Sequence, residues 1–223
     1  MSSLPGKDPS LVDATSFGAA GSSSRRRFLQ AVGLGGVAAS APLAAVTANA
    51  SPVVIPRRPT DADTGLLVFA QSLELAIFGA YDIVVNRLTG GSLTMPEPVV
   101  PVMHALREHH LAYSQSLAAL LGRTAPGLAN ATLMASITKT FSGATSDEIL
   151  AAAADLENTA TATHGSLVAV LVGIDGSALI SSIMAMEARH ATTLAAIAGR
   201  ADLPGAGLED LSAALSPDDF PVV

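Results

Sequence analysis

Glu187 and His190 stand three residues apart, a spacing that puts a carboxylate and an imidazole on one helix face, one turn apart and able to reach a single ion. Carboxylate with imidazole suits iron or manganese, with zinc as a further candidate. Glu74, Glu157, His110 and His164 share an unusual setting with this pair, on stripes otherwise made of Leu, Ile, Ala and Val, and Tyr81 and Tyr113 lie on the same stripes. An ionised carboxylate left alone inside such a stripe costs several kcal/mol, so each must be neutralised, paired or bound to a cation.

Four periodic segments must position these groups. The first runs from about Asp63 to Leu88 with a stripe of Leu67, Ala70, Glu74, Ile77, Tyr81, Val84 and Leu88, in steps of three and four. The second runs from about Pro101 to Leu121 through Met103, Leu106, His110, Tyr113, Leu117 and Leu120, and Gly122 caps it. Residues 123–145 hold Pro126, Gly127 and Gly143 around a weak helical patch near Leu133 to Ile137. Ser146, followed by Asp147 and Glu148, reads as the next helix start. Its stripe is Leu150, Ala153, Glu157, Ala160, His164, Leu167 and Leu171, stopping at Gly173 with Asp175-Gly176 as the turn. The fourth stripe is Ile180, Ile183, Glu187, His190, Leu194 and Ile197, ending at Gly199. Short, long and short connections predict an all-α fold, two helical hairpins joined by a long crossover. The tail beyond Gly199, with Pro204, Gly205, Gly207 and Pro217, reads as irregular.

With Glu74 and Glu157 each alone on a helix and Glu187 paired with His190, the chain resembles the ferritin-like superfamily, in particular exported bacterial ferritin-like domain proteins. Di-iron members of that family use a Glu on helices one and three and a Glu-x-x-His on helices two and four. The resemblance covers about residues 64–199 and implies a four-helix bundle with a metal centre of one or two iron or manganese ions. It implies Glu74, His110, Glu157, Glu187 and His190 as ligands, with Tyr113, His164 and Tyr81 in the surrounding shell or as further ligands. The second helix departs from the pattern. His190 precedes Gly199 by nine residues and Tyr113 precedes Gly122 by nine, so Tyr113 takes the histidine place and His110 that of the bridging glutamate. Glu108 is out of phase and pairs with solvent or Arg107, whereas His104 and His109 fall on the opposite, solvated face. Glu74 to Tyr81 and Glu157 to His164 are both seven residues, an internal echo of the two hairpins.

The chain has 223 residues, of which 49% are hydrophobic, 14% charged and 4% aromatic, so the core is built from aliphatic helix stripes. The absence of cysteine excludes disulfide scaffolds, zinc fingers and thiol catalysis. A net charge of −7 argues against a nucleic-acid partner. The first fifty residues contain four of the twelve basic and two of the nineteen acidic side chains, which leaves −9 on the rest.

Ser24-Arg25-Arg26-Arg27-Phe28-Leu29-Gln30 precedes a charge-free run to Pro56 and resembles a twin-arginine export signal through Arg25, Arg26, Phe28 and Leu29. Ala48-Asn49-Ala50 supplies a small-residue cleavage pattern. The expected organisation is a signal over 1–50, a linker over 51–63, the bundle over 64–199 and a tail over 200–223. The uncharged run is also long enough to serve as a retained membrane anchor. Either way the folded part works outside the cytoplasmic membrane, in the periplasm, cell wall or medium. The expected partners are the twin-arginine translocase during export and a second copy of the chain through an Ala-rich helix face. Two functions stand open: metal binding with iron oxidation or oxygen or peroxide reduction, and a metal-free structural or interaction protein with the same groups paired among themselves.

Overall fold

The computed structural model describes residues 55–200 and 211–222. The export motif with Arg25, Arg26, Phe28 and Leu29, and the cleavage pattern at Ala50, lie outside the described residues. Five helices and no strand occupy the described residues: α1 (Asp61–Thr89), α2 (Val100–Leu121), α3 (Ala131–Phe141), α4 (Ser146–Val168) and α5 (Ile174–Ile197). α1 packs along α2 and α4 along α5, so the fold is all-α: two helical hairpins joined by a long crossover into a four-helix bundle, with α3 laid against α1.

Local sequence starts three of these helices. Thr60 and Asp63 form a capping box on α1: Thr60 N donates to Asp63 Oδ2 at 2.7 Å and Asp63 N donates to Thr60 Oγ1 at 3.3 Å. Thr145 and Glu148 repeat the device on α4, so the cap is Thr145 and not Ser146, which lies one position inside the helix. Asn130 caps α3 through Leu133 N. α3 is longer than the patch near Leu133 to Ile137 suggests; it buries Leu133, Ile137 and Phe141 on one face, and Pro126, Gly127 and Gly143 bound it from outside. α2 ends at Gly122, whose φ of +61° suits a residue without a Cβ.

The start of α5 is set from a distance. α4 stops at Val168, short of Leu171, and Asp175-Gly176 lies in the first turn of α5 and not in a loop. Gly173 is the cap and has no capping side chain of its own; the buried Asp63 of α1 accepts Val172 N at 2.8 Å and Gly173 N at 2.9 Å instead. A Cβ on Gly173 would sit 2.6 Å from the Arg58 carbonyl oxygen, so the strand of chain entering α1 passes the turn only because this residue is glycine. Gly176 faces Leu67 in the same corner.

Two apolar clusters fill the bundle, one with Ile77, Val84, Met103, Leu106, Leu150 and Leu194, the other with Leu67, Ala70, Leu117, Leu167, Ile180 and Ile183. On α2 and α5 the residues between these clusters are the polar ones, His110 and the pair Glu187 and His190. The stripe ends fray outward: Leu88, Leu120 and Leu171 are half-buried and Ile197 is exposed. α1 is long and apolar enough to cross a membrane, yet most of its apolar window is buried inside the bundle. The described part of the tail, 211–222, is better packed than the tail's composition suggests. Leu215 and Phe220 pack on the core, Leu215 N donates to Thr163 Oγ1 at 2.9 Å, and Asn130 Nδ2 donates to the Phe220 carbonyl at 2.9 Å.

Burial works to raise the Asp63 carboxyl, but the N–H groups of Val172, Thr60 and Gly173 and the Thr60 hydroxyl hold it below the usual range. Asp63→Ala is expected to cost about 2 kcal/mol of unfolding free energy at neutral pH, read by urea denaturation. A folded pKa below the unfolded one means that the contribution is complete above the unfolded value and is lost as pH falls through the folded one. The gap between wild type and variant should therefore narrow below about pH 4, and a gap unchanged by acid would contradict this role for Asp63.

Candidate metal centre

Between the two apolar clusters, Glu74 on α1, His110 on α2, Glu157 and His164 on α4 and Glu187 on α5 are all fully buried, and His190 on α5 nearly so. Small neighbours permit the approach: Ala70, Ala153 and Ala160 are buried on the same stripes and keep the helices close enough for short carboxylates to meet. The structure thus brings together all five residues expected as ligands, with both outer tyrosines and His164 around them.

Glu157 is the most heavily engaged. Its Oε1 accepts from Tyr81 Oη at 2.5 Å and lies 3.0 Å from His110 Nε2, while Oε2 lies 3.2 Å from His190 Nδ1. Burial alone would raise this carboxyl; the His110 charge and the hydrogen bonds from His110 and His190 overcome it and hold it at about 2. His110 spans the bundle, with Nδ1 2.7 Å from Glu74 Oε2. Burial opposes its charge, but Glu157 and Glu74 together push its pKa well above the ordinary value. The Tyr81 ring stacks on His110 with centroids 5.5 Å apart, and burial and Glu157 keep its hydroxyl protonated.

The other half is less complete. His164 Nδ1 lies 2.7 Å from Glu187 Oε2, and its Nε2 is 3.4 Å from Glu74 Oε1. Burial keeps this imidazole neutral. Burial and the Glu74 charge push the Glu187 carboxyl well above its usual range, so it demands a proton or a cation. Among the described residues, four buried side-chain atoms have no hydrogen-bond partner, and three of them are Glu74 Oε1, His164 Nε2 and Glu187 Oε1. Two overlapping triads, His110–Glu157–His190 and Glu74–His110–Glu187, each offer ligand atoms within 4.8 Å of one another. Carboxylate and imidazole donors with orphaned lone pairs in a dry layer fit a divalent metal.

His109 is the residue that the periodicity missed. It is half-buried, not solvated, and its Nδ1 lies 3.1 Å from His190 Nε2 with the two rings stacked at 5.2 Å. Burial and the adjacent His190 and His110 lower its pKa. Tyr113 is also half-buried, edge-on to His110 at 5.5 Å and stacked near His190 at 6.4 Å, so it borders the cluster from the α2 side. His104 is exposed as expected, and Glu108 pairs with Arg107 at 2.7 Å.

The family model described as a ferritin-like domain matches residues 62–200, which takes in α1 from its second residue through α5. The chain belongs to that family. The bundle is accordingly a ferritin-like one, and its buried groups occupy the middle of the ferritin-like domain. No curated protein matches the chain, and no solved structure does.

Tyr81→Phe keeps the ring on His110 and removes the hydroxyl that donates to the Glu157 carboxylate. Thermal or urea unfolding should register a loss of about 2 kcal/mol, the usual worth of a buried hydrogen bond to a charged group. A change within about 0.5 kcal/mol would show that Glu157 does not depend on this donor.

Proposed function

We propose that this chain is an exported ferritin-like protein that binds iron or manganese inside its four-helix bundle and supports redox chemistry there. The observation that carries the reading is the coincidence of two buried Glu/His triads with orphaned ligand atoms at the centre of a ferritin-like domain. Among the described residues every histidine of the centre contacts a carboxylate directly, as metal-binding imidazoles held in position do.

A bound iron or manganese would supply one-electron exchange, with oxygen, peroxide or ferrous iron as the reacting species. The protein's own contributions are separable from that. Glu74 and Glu187 provide charge; Tyr81 donates a hydrogen bond to the Glu157 carboxylate; the apolar clusters on either side exclude water. His109 and His190 form a relay from the half-exposed face of α2 to Glu157, a path for protons between solvent and the dry layer. The second helix places His110 and Tyr113 where a Glu-x-x-His would stand in the di-iron pattern, so the reading is of a ferritin-like protein with an altered centre.

Arg25, Arg26, Phe28 and Leu29, with Ala48-Asn49-Ala50 behind them, support export of the folded chain by the twin-arginine translocase to the periplasm, cell wall or medium.

Protein recovered from the exported fraction and assayed for metal should contain stoichiometric iron or manganese, and Glu187→Ala should abolish it while remaining helical. Folded protein free of metal, with a Glu187→Ala variant of unchanged metal content and stability, would instead support a structural role.

A further inference from the structure

We propose that the end of the bundle formed by the entry to α1 and the α4–α5 turn docks on an anionic phospholipid surface. The inference goes beyond the metal centre and does not depend on it.

Among the described residues seven large apolar side chains are exposed, and four of them, Ile55, Val170, Val172 and Ile174, belong to this one end, each between 45% and 59% exposed. The two segments that carry them are tied together. Ile174 N donates to the Pro56 carbonyl at 3.0 Å and Asp175 N to that of Arg57 at 2.8 Å, while Asp63 holds Val172 N and Gly173 N. Along the turn burial alternates, with Leu171 and Gly173 turned inward and Val170, Val172 and Ile174 outward. The backbone is thus pinned with β-branched side chains held in water, a cost that a partner surface removes.

Two observations identify that surface as lipid. The sequence leading into this end is uncharged from Phe28 to Pro56, so a run long enough to enter a bilayer finishes at the residue bonded to Ile174. The second observation is charge. Arg57, Arg58 and Arg123 are exposed in the segments at this end, Arg123 because the packing of α2 along α1 brings the C-terminus of one beside the start of the other. Of the acids in the same segments, Asp63 is buried, Asp175 pairs with Arg57 at 3.2 Å and Asp61 is exposed. The face is slightly basic on a chain whose residues beyond the first fifty carry −9. Apolar side chains accompanied by arginine suit the boundary between phosphate headgroups and acyl chains. A second copy of the chain would instead set the same arginines against one another. Docked this way the helices stand off the surface, with the Glu187 layer about 20 Å along α5 from Ile174 and the half-buried His109 on the flank, clear of lipid.

The chain has no cysteine, so one introduced for a nitroxide label is unique. Val172→Cys labels the docking face and Ile197→Cys the opposite end of α5. Each full-length variant, checked for helicity, is mixed with vesicles of equal parts phosphatidylglycerol and phosphatidylcholine and followed by electron paramagnetic resonance. At 172 the label should gain access to oxygen and lose access to a water-soluble nickel chelate, while at 197 it stays open to the chelate. Adding Val170→Ser and Ile174→Ser should return the label at 172 to water, even where the uncharged run keeps the chain on the vesicle. Arg58→Glu should shift the immersion equilibrium at 172 about five-fold or more toward water. A label at 172 that stays in water on vesicles, equal immersion at 172 and 197, or immersion untouched by the serine and glutamate changes would each overturn the proposal. Protection of 172 without vesicles, in a chain that scatters light as a dimer, would overturn it too by making a second copy the occupant. Should Val172→Cys not fold, Val170→Cys carries the same label on the same face.

Discussion

Three carboxylates in a layer that water does not reach are the constraint around which this bundle is arranged. Glu74, Glu157 and Glu187 are fully buried, and each sits on a helix whose other inward positions are mostly Leu, Ile, Val or Ala. Desolvation of that size is tolerated only where the charge is met within a few ångströms. The buried histidines, Tyr81 and the small alanines follow from it, because each either supplies a compensating proton or lets the helices come near enough for one to be supplied.

The helical hairpins and most of the centre were legible because a 3.6-residue period puts chemistry and packing on the same stripe. Glu74, His110, Glu157, His164, Glu187 and His190 are visible as polar interruptions of apolar faces, and burial keeps them there. His109 escaped because it lies one residue before His110 and so points about 100° away from the stripe. The readable hint was its i,i+4 relation to Tyr113, which places the two on one face, and α5 reaches round to that face through His190. The Thr145 cap was likewise readable, since Thr145 and Glu148 have capping-box spacing.

Other features depend on contacts between distant parts of the chain. Asp175-Gly176 has the composition of a turn, and local propensity offers no reason for a helix to begin before it. The start at Ile174 is fixed by Asp63, more than a hundred residues earlier, and by the passage of Arg58 and Pro59 over Gly173. Residues 211–222 are placed the same way: Asn130 caps α3 with its oxygen and holds the Phe220 carbonyl with its nitrogen. Neither anchor leaves a periodic trace.

The two hairpins share a spacing, and the residues at matching places set the character of each half. Tyr81 stands seven residues after Glu74 and reaches across to Glu157; His164 stands seven residues after Glu157 and reaches back toward Glu74. A phenol always has a proton to give, so Tyr81 closes the Glu157 side. A neutral imidazole has one proton for two carboxylates, so His164 cannot serve both Glu187 and Glu74. The same fold position therefore ends one half in a hydrogen bond and leaves the other short of a proton or a cation. The asymmetry comes from Tyr81 against His164, together with His110 and Tyr113 of α2 against Glu187 and His190 of α5.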